Sequence, residues 1–335
     1  MLIVLLFSLF FATGALAVSI AFVLLFLTSK TKRKYTIRSF FFPFKKENSL
    51  VENLGAVIVS PFAWIVISIC IVILFLFTLL NSIITDTSFG FISYIFSGIA
   101  AYFFSSFYLL ILYYTDFHER EPPQFIISLF LWGIASALFS LIFSLILQSI
   151  FSVVLPFEIC LMLIGSVGIA PLVEEIFKSL GVVLVILTPE VDNALDGALY
   201  GGTVGLGFAF IENWIYFTSQ PITDSASWIF LVLLRGMLST LGHLVFTGTT
   251  GAVLAWLKFK YKYWWVFAFP LFIIGIVLHA IFNFIATLVE AVSLHLTGCP
   301  IPIFLILFLF TILISFAVFY VASVIGEGYK NERKN

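Results

Sequence analysis

The chain has 335 residues, 62% of them hydrophobic and only 10% charged, with a formal net charge of −1 and a mean hydropathy of +1.19. A water-soluble domain carries about 25% charged residues, so a soluble globular enzyme is excluded. The balanced charge, without a basic stripe interleaved with aromatics, speaks against a nucleic-acid partner.

Apolar runs of roughly 20 residues, long enough to span a bilayer as helices, recur along the chain. They predict an all-α polytopic membrane protein with about nine transmembrane helices. The expected spans lie near 2–28, 56–80, 91–114, 125–154, 159–187, 194–218, 228–257, 264–292 and 301–325. The first contains Ala15-Leu16-Ala17, which has the form of a signal-peptide cleavage site. No basic residue precedes the run, however, and it continues ten residues further to Leu27, so a retained helix is expected.

The segment after the first span, "SKTKRKYTIRSFFFPFKK", holds seven lysines and arginines. By the positive-inside rule it is cytoplasmic. Alternation then places Arg120, the cluster Lys258, Lys260 and Lys262, and the tail "YKNERKN" on the same side, which predicts an N-out, C-in topology. Lys178 and Arg235 are the basic residues left inside spans. Tyr113-Tyr114, Trp228 and Tyr263-Trp264-Trp265 fall where an interfacial aromatic belt is expected. The three cysteines, Cys70, Cys160 and Cys299, match no metal or disulfide spacing.

Spans five to eight are the ones with polar residues at mid-depth. The fifth has Glu174, Glu175 and Lys178 in "GIAPLVEEIFKSLGVVLVIL", and the sixth has Glu212 and Asn213 in "GFAFIENWIYF". The seventh has His243 in "LGHLVFTG", and the eighth has His279 and Asn283 in "LHAIFNF". Ionisable groups at membrane depth are costly and mark function by default. Four consecutive spans carrying them at comparable depth predict one shared cavity.

Spacing refines this expectation. Glu174 and Lys178, four apart, share a helix face and can neutralise each other. Glu175, about 100° further round, need not enter the same cavity. His279 and Asn283 share a face, and Arg235, Ser239, His243 and Thr247 form a stripe at intervals of four. Gly197, Gly201 and Gly205 repeat at the same interval on the face that continues to Phe208 and Glu212, which allows a neighbouring helix to approach closely. Glu212 lies several residues before the outer end of the sixth span, and Arg235 a similar distance after the seventh begins. The two are therefore expected to pair, either for function or as a register device.

A carboxylate beside a histidine in a dry cavity can deprotonate water. A second histidine and an amide can hold the oxyanion formed when that water attacks a carbonyl. Peptide hydrolysis by this route needs no cofactor, and it is the preferred reading. No serine or cysteine nucleophile is marked by "GxSxG". A zinc site built from Glu174, His243 and His279 is the alternative, although "HExxH" is absent. The same residues would suit a proton-coupled transporter. Such carriers often have two matching halves, and the first half here has no counterpart, which favours a single enzyme site.

The ordered motifs "PLVEEIFK", "DGALYGGTVGLGFAFIENWIYF", "GHLVFTG" and "HAIFN", preceded by "YTDFHEREPP", resemble the PrsW family of intramembrane proteases. That family is grouped with the CAAX prenyl endopeptidases and bacteriocin-processing enzymes as glutamic-type membrane proteases. The likeness covers roughly residues 113 to 285. It implies accessory helices over 1–114, a protease core over 115–292, and a last helix and tail over 293–335.

By the same resemblance, Glu174 and Glu175 form the first motif, with Glu174 the general base. Phe208, Glu212 and Asn213 form the second. Where the prenyl endopeptidases have a histidine at the comparable acidic position, this chain has Glu212, so either Glu212 or His243 takes that part. His279 and Asn283 match the oxyanion-binding motif, and Lys178, Asn213, Arg235 and Phe208 support the site. The implied partners are the lipid bilayer and a membrane-anchored protein substrate, such as an anti-sigma-factor-like regulator. The implied location is the cell membrane.

Overall fold

The computed structural model describes residues 2–28, 90–114, 120–154, 161, 163–220 and 222–295. The elements over these residues are helices: α1 (Leu2–Thr28), α2 (Gly90–Tyr114), α3 (Pro123–Val154), a π-helical turn (Ile164–Ile169) running directly into α4 (Ala170–Ile186), α5 (Ala194–Ser219), α6 (Ser225–Lys260) and α7 (Trp265–His295). Six of them, all but α4, are long and apolar enough to cross a membrane. This is an integral membrane protein. Seven expected spans coincide with these helices. Those near 56–80 and 301–325 lie outside the described residues.

The bundle is organised around α5, the most buried of the long helices, which packs on α6, α3, α2 and α4. Its start is fixed by a capping box: Asn193 Oδ1 accepts from Asp196 N at 3.0 Å, and Asp196 Oδ2 accepts from Asn193 N. This reciprocal pairing satisfies backbone donors that a helix N-terminus leaves open. Asp224 caps α6 in a simpler way by accepting from Ser227 N. At the far end of α6, Lys258 Nζ donates to the carbonyls of Thr188 and Val191, both at 2.9 Å. The α4–α5 connection is thereby tied to α6.

The glycine stripe of α5 does what its spacing predicts. Side chains at Gly197, Gly201 and Gly205 would strike the backbone carbonyls of Gly251, Thr247 and His243 on α6. The two backbones touch there, so a methyl group has no room. On the opposite side α5 meets α3 through Gly207 against Phe130 O and Gly133 against Val204 O. Tight crossings on both sides keep α5 at a fixed depth.

Aromatic donors cross-link the remaining helices. Trp132 Nε1 of α3 donates to Phe177 O of α4 at 3.0 Å, and Trp214 Nε1 of α5 donates to Tyr94 O of α2 at 2.9 Å. On α1, Phe11 sits against Phe103 and Phe104 of α2, with ring centroids 5.4 Å apart in both pairs. The exposed faces are apolar: Leu5, Leu9 and Leu16 on α1, Leu141, Ile142 and Leu145 on α3, and Ile273, Val277 and Phe284 on α7. These are the surfaces that hydrocarbon would cover, since lipid imposes no cost on exposed aliphatic side chains.

Gly201→Ala should therefore lower stability by about 1–3 kcal/mol, the usual cost of overpacking. The readout is the thermal unfolding midpoint of the detergent-solubilised chain. An unchanged midpoint would show that α5 and α6 are not in backbone contact.

Candidate active site

The polar residues of α4, α5, α6 and α7 converge on one buried cluster. Its centre is the Lys178 ammonium, fully buried on α4. Lys178 Nζ donates to Glu175 Oε1 at 2.7 Å and to His243 Nδ1 at 2.8 Å, and it lies 3.6 Å from Glu174 Oε2. Below it the Phe208 ring centroid is 3.7 Å away, a cation–π contact. Spacing suggested that Glu174 would neutralise Lys178 and that Glu175 need not enter the cavity. Instead Glu175, at i,i+3, makes the closer bond, and the lysine lies between the two carboxylates.

Glu175 is saturated. Oε1 accepts from Lys178 and from His279 Nδ1 (3.1 Å), and Oε2 accepts from Thr247 Oγ1 (3.0 Å). Its side chain is wholly inaccessible. Glu174 is different: its side chain retains 12% exposure, and Oε2 is buried without a hydrogen-bond partner. That oxygen lies 3.8 Å from His279 Nε2. Two adjacent carboxylates therefore have unlike surroundings, one fully bonded and the other open.

The histidine tautomers follow from their partners. An ammonium can only donate, so His243 Nδ1 accepts and His243 carries its proton on Nε2. That Nε2–H donates to Glu212 Oε2 at 2.5 Å. His279 Nδ1 faces a carboxylate and donates to it, which leaves His279 Nε2 directed toward Glu174. The His243 and His279 rings meet edge to face at 5.0 Å, and Phe246 stacks on His279 at 4.9 Å.

Glu212 is held from three sides. Arg235 Nη2 pairs with Oε1 at 3.1 Å, as the spans' relative depth predicted. His243 and Ser239 reach Oε2. Arg235 also donates to Asn213 Oδ1 at 3.3 Å, and Asn213 Nδ2 donates to Thr240 Oγ1 at 2.8 Å. The stripe Arg235, Ser239, His243 and Thr247 thus contacts the acids along its length. The choice posed by the sequence, Glu212 or His243, dissolves into one hydrogen-bonded unit.

Asn283 is placed less simply. Its Nδ2 donates to Ser166 O in the π-turn at 2.9 Å. There Ala170 N–H bonds to Gly165 O, and Pro171, next in line, has no N–H to give. The side chain of α7 thus supports the segment leading into Glu174. One amide hydrogen is used in this bond, and the second remains.

Sequence reading left Ser239, Thr247 and Phe246 out of the site. Ser239 and Thr247 could have been included from their place on the His243 stripe, but Phe246 had no signal beyond being apolar.

A buried Glu/His cluster is thus shared by four helices of an integral membrane protein. The profile of the PrsW family, described as an intramembrane metalloprotease family, matches residues 121–321. The chain belongs to the PrsW family of intramembrane proteases. It is 26% identical over 170 residues to Protease PrsW of Geobacillus kaustophilus, covering 49% of this chain and 70% of that protein. It is 32% identical over 136 residues to Protease PrsW of Oceanobacillus iheyensis, covering 40% of this chain and 60% of that one. No solved structure matches.

The family's description implies a metal ion. Donor atoms of Glu174, His243 and His279 do converge within 4.8 Å of one another. Glu174 Oε2 and His279 Nε2 would suit an ion, but His243 does not, because both its nitrogens are engaged and Lys178 stands among the donors. A divalent ion about 4 Å from an ammonium is repelled by about 8 kcal/mol at an effective dielectric constant of about 20. The residues as arranged do not fit a three-ligand metal.

Arg235→Ala should destabilise the chain, and Glu212→Gln in the same background should recover part of the loss. The expected coupling energy is about 0.5–3 kcal/mol, read by a double-mutant cycle on unfolding midpoints. Strict additivity would remove the pair from the account.

Proposed function

We propose that this protein is an endopeptidase that hydrolyses a peptide bond in or near a membrane-anchored protein, using water activated at Glu174 without a metal. The observation that carries this reading is the open Glu174 Oε2 opposite His279 Nε2. At 3.8 Å the two cannot hydrogen-bond to each other, yet both can reach one water molecule. Both are acceptors once His279 Nδ1–H is committed to Glu175. A water donating to both turns its lone pairs outward, toward a carbonyl carbon.

As that water attacks, Glu174 takes its proton and later returns it to the leaving amine, the usual division of labour for a general base and acid. His279 orients the water. Asn283, one turn further along α7, has an amide hydrogen left for the oxyanion. Glu175 and the Glu212–His243 unit hold these groups in place through Thr247, Lys178 and Arg235. A site preorganised in this way loses little to reorganisation during reaction.

The position of the site supports a substrate class. A peptide reaching a cluster enclosed by four helices comes from a membrane-anchored protein, and an anti-sigma-factor-like regulator is the kind the family resemblance suggests. The N-out, C-in orientation in the cell membrane rests on the basic residues. Lys258 and Lys260, in the last turn of α6, lie on the side where the long basic segment 29–46 is expected.

Glu174→Gln should lower cleavage by about 10²–10⁴-fold while leaving the chain folded. Membranes from cells expressing either form, compared by mass spectrometry for new protein termini, test this. Termini near membrane spans found only with the parent chain are expected. Equal termini from both forms would refute the assignment, and none from either would turn attention to proton-coupled transport.

A further inference from the structure

The family description and the geometry part company at one atom, His243 Nδ1. In a histidine–metal centre, each imidazole typically gives one N–H to a carboxylate and turns its other nitrogen to the metal. Both histidines here have the first half of that arrangement. His279 donates from Nδ1 to Glu175, and His243 donates from Nε2 to Glu212. Their other nitrogens differ in what they face: His279 Nε2 faces Glu174 Oε2, and His243 Nδ1 faces a cation already in place, Lys178 Nζ at 2.8 Å.

We propose that the Lys178 ammonium is the resident cation of this site, standing where a metal would otherwise bind and holding His243 in its Nε2–H tautomer. It is a positioning residue, acting on the reaction through His243 and Glu175. This deepens the glutamate reading given above and rests on it, but it is tested on metal binding and on a histidine signal, independently of hydrolysis.

Four observations carry the proposal. The ammonium is anchored one turn from its carboxylates on the same helix, so its reach is set by backbone geometry. It is fully buried, with no exposed surface. The Phe208 ring closes its remaining side at 3.7 Å. His243 cannot turn its other nitrogen to a metal either, because Nε2 is committed to Glu212, itself held by Arg235 and Ser239. With the ammonium bonded at Nδ1, the lone pair needed for a third ligand bond is occupied.

Removing the ammonium should therefore create the metal site. The full chain in detergent, stripped with chelator and then equilibrated with zinc chloride, would be assayed for bound zinc by mass spectrometry. The parent chain should retain no stoichiometric zinc. Lys178→Met should retain it, with affinity at least about tenfold higher, and His243→Ala in that background should abolish the gain. Stoichiometric zinc in the parent chain, lost on His279→Ala, would overturn the proposal. So would a folded Lys178→Met chain that binds no more zinc than the parent.

Because that substitution leaves Glu175 without its cation and could unfold the chain, a second measurement uses the parent alone. The chain has four histidines, so the nitrogen-15 resonances of His243 can be assigned as those lost on His243→Ala. A protonated Nε2 with an unprotonated Nδ1 is expected. A proton on Nδ1 would mean that Lys178 does not donate there, and the proposal would fail.

Discussion

A buried ammonium governs this site. Lys178 has no exposed surface, and a charge at membrane depth persists only when its hydrogen-bonding capacity is met inside the protein. Meeting it takes one carboxylate fully, a histidine lone pair, the near edge of a second carboxylate and an aromatic face. Each of those groups is then fixed in turn. Glu175 orients His279, and His243 orients Glu212. Glu212 needs Arg235, and Arg235 needs Asn213. Nearly every polar group in the cluster is thus accounted for by a neighbour. Glu174 is the exception, with Oε2 buried and without a hydrogen bond.

Such a network requires four helices to meet at one depth with little tolerance. The glycines of α5 make this possible on the α6 side, where a side chain would push His243 away from Glu212. Small residues serve membrane helix packing because lipid supplies no hydrophobic drive for association, and close contact must replace it. On the α4 side the constraint is different. The π-turn and Pro171 interrupt the regular helical bonding just ahead of Glu174, and Asn283 on α7 supplies a donor there. Interruptions of this kind recur at functional sites, and here one couples the helix bearing Glu174 to the helix bearing His279.

Much of this was legible in the sequence, because membrane residence makes polar residues rare and therefore conspicuous. Glu174, Glu175, Glu212, His243, His279 and Asn283 stood out against an apolar background; helical spacing placed the glycine stripe, and depth within the spans placed the Glu212–Arg235 pair. The division between Glu174 and Glu175 was not legible. Periodicity gives the angle of each side chain about its axis, whereas a flexible glutamate or lysine reaches several ångströms off that direction. Glu175 therefore joined the cluster from a position that spacing placed apart from it. The π-turn was equally hidden, since neither glycine nor proline in "SVGIAP" distinguishes it from an ordinary helix start.

The two glutamates also show how one motif provides two environments. Adjacent on one helix, they are chemically identical, and they differ in what faces them. Glu175 meets three donors, so its bonding is complete and any proton or ligand arriving there would have to displace one of them. Glu174 meets one distant cation and a nitrogen that is itself an acceptor, so its bonding is completed only by something that donates from outside the cluster. In the proposed mechanism a water molecule donates to both and is held with its nucleophilic side outward. The network bonds the carboxylate oxygens of Glu175 and Glu212 and leaves the buried Glu174 Oε2 without a hydrogen bond. In the proposed reaction, the reactive point is the place where the protein's own hydrogen bonding stops.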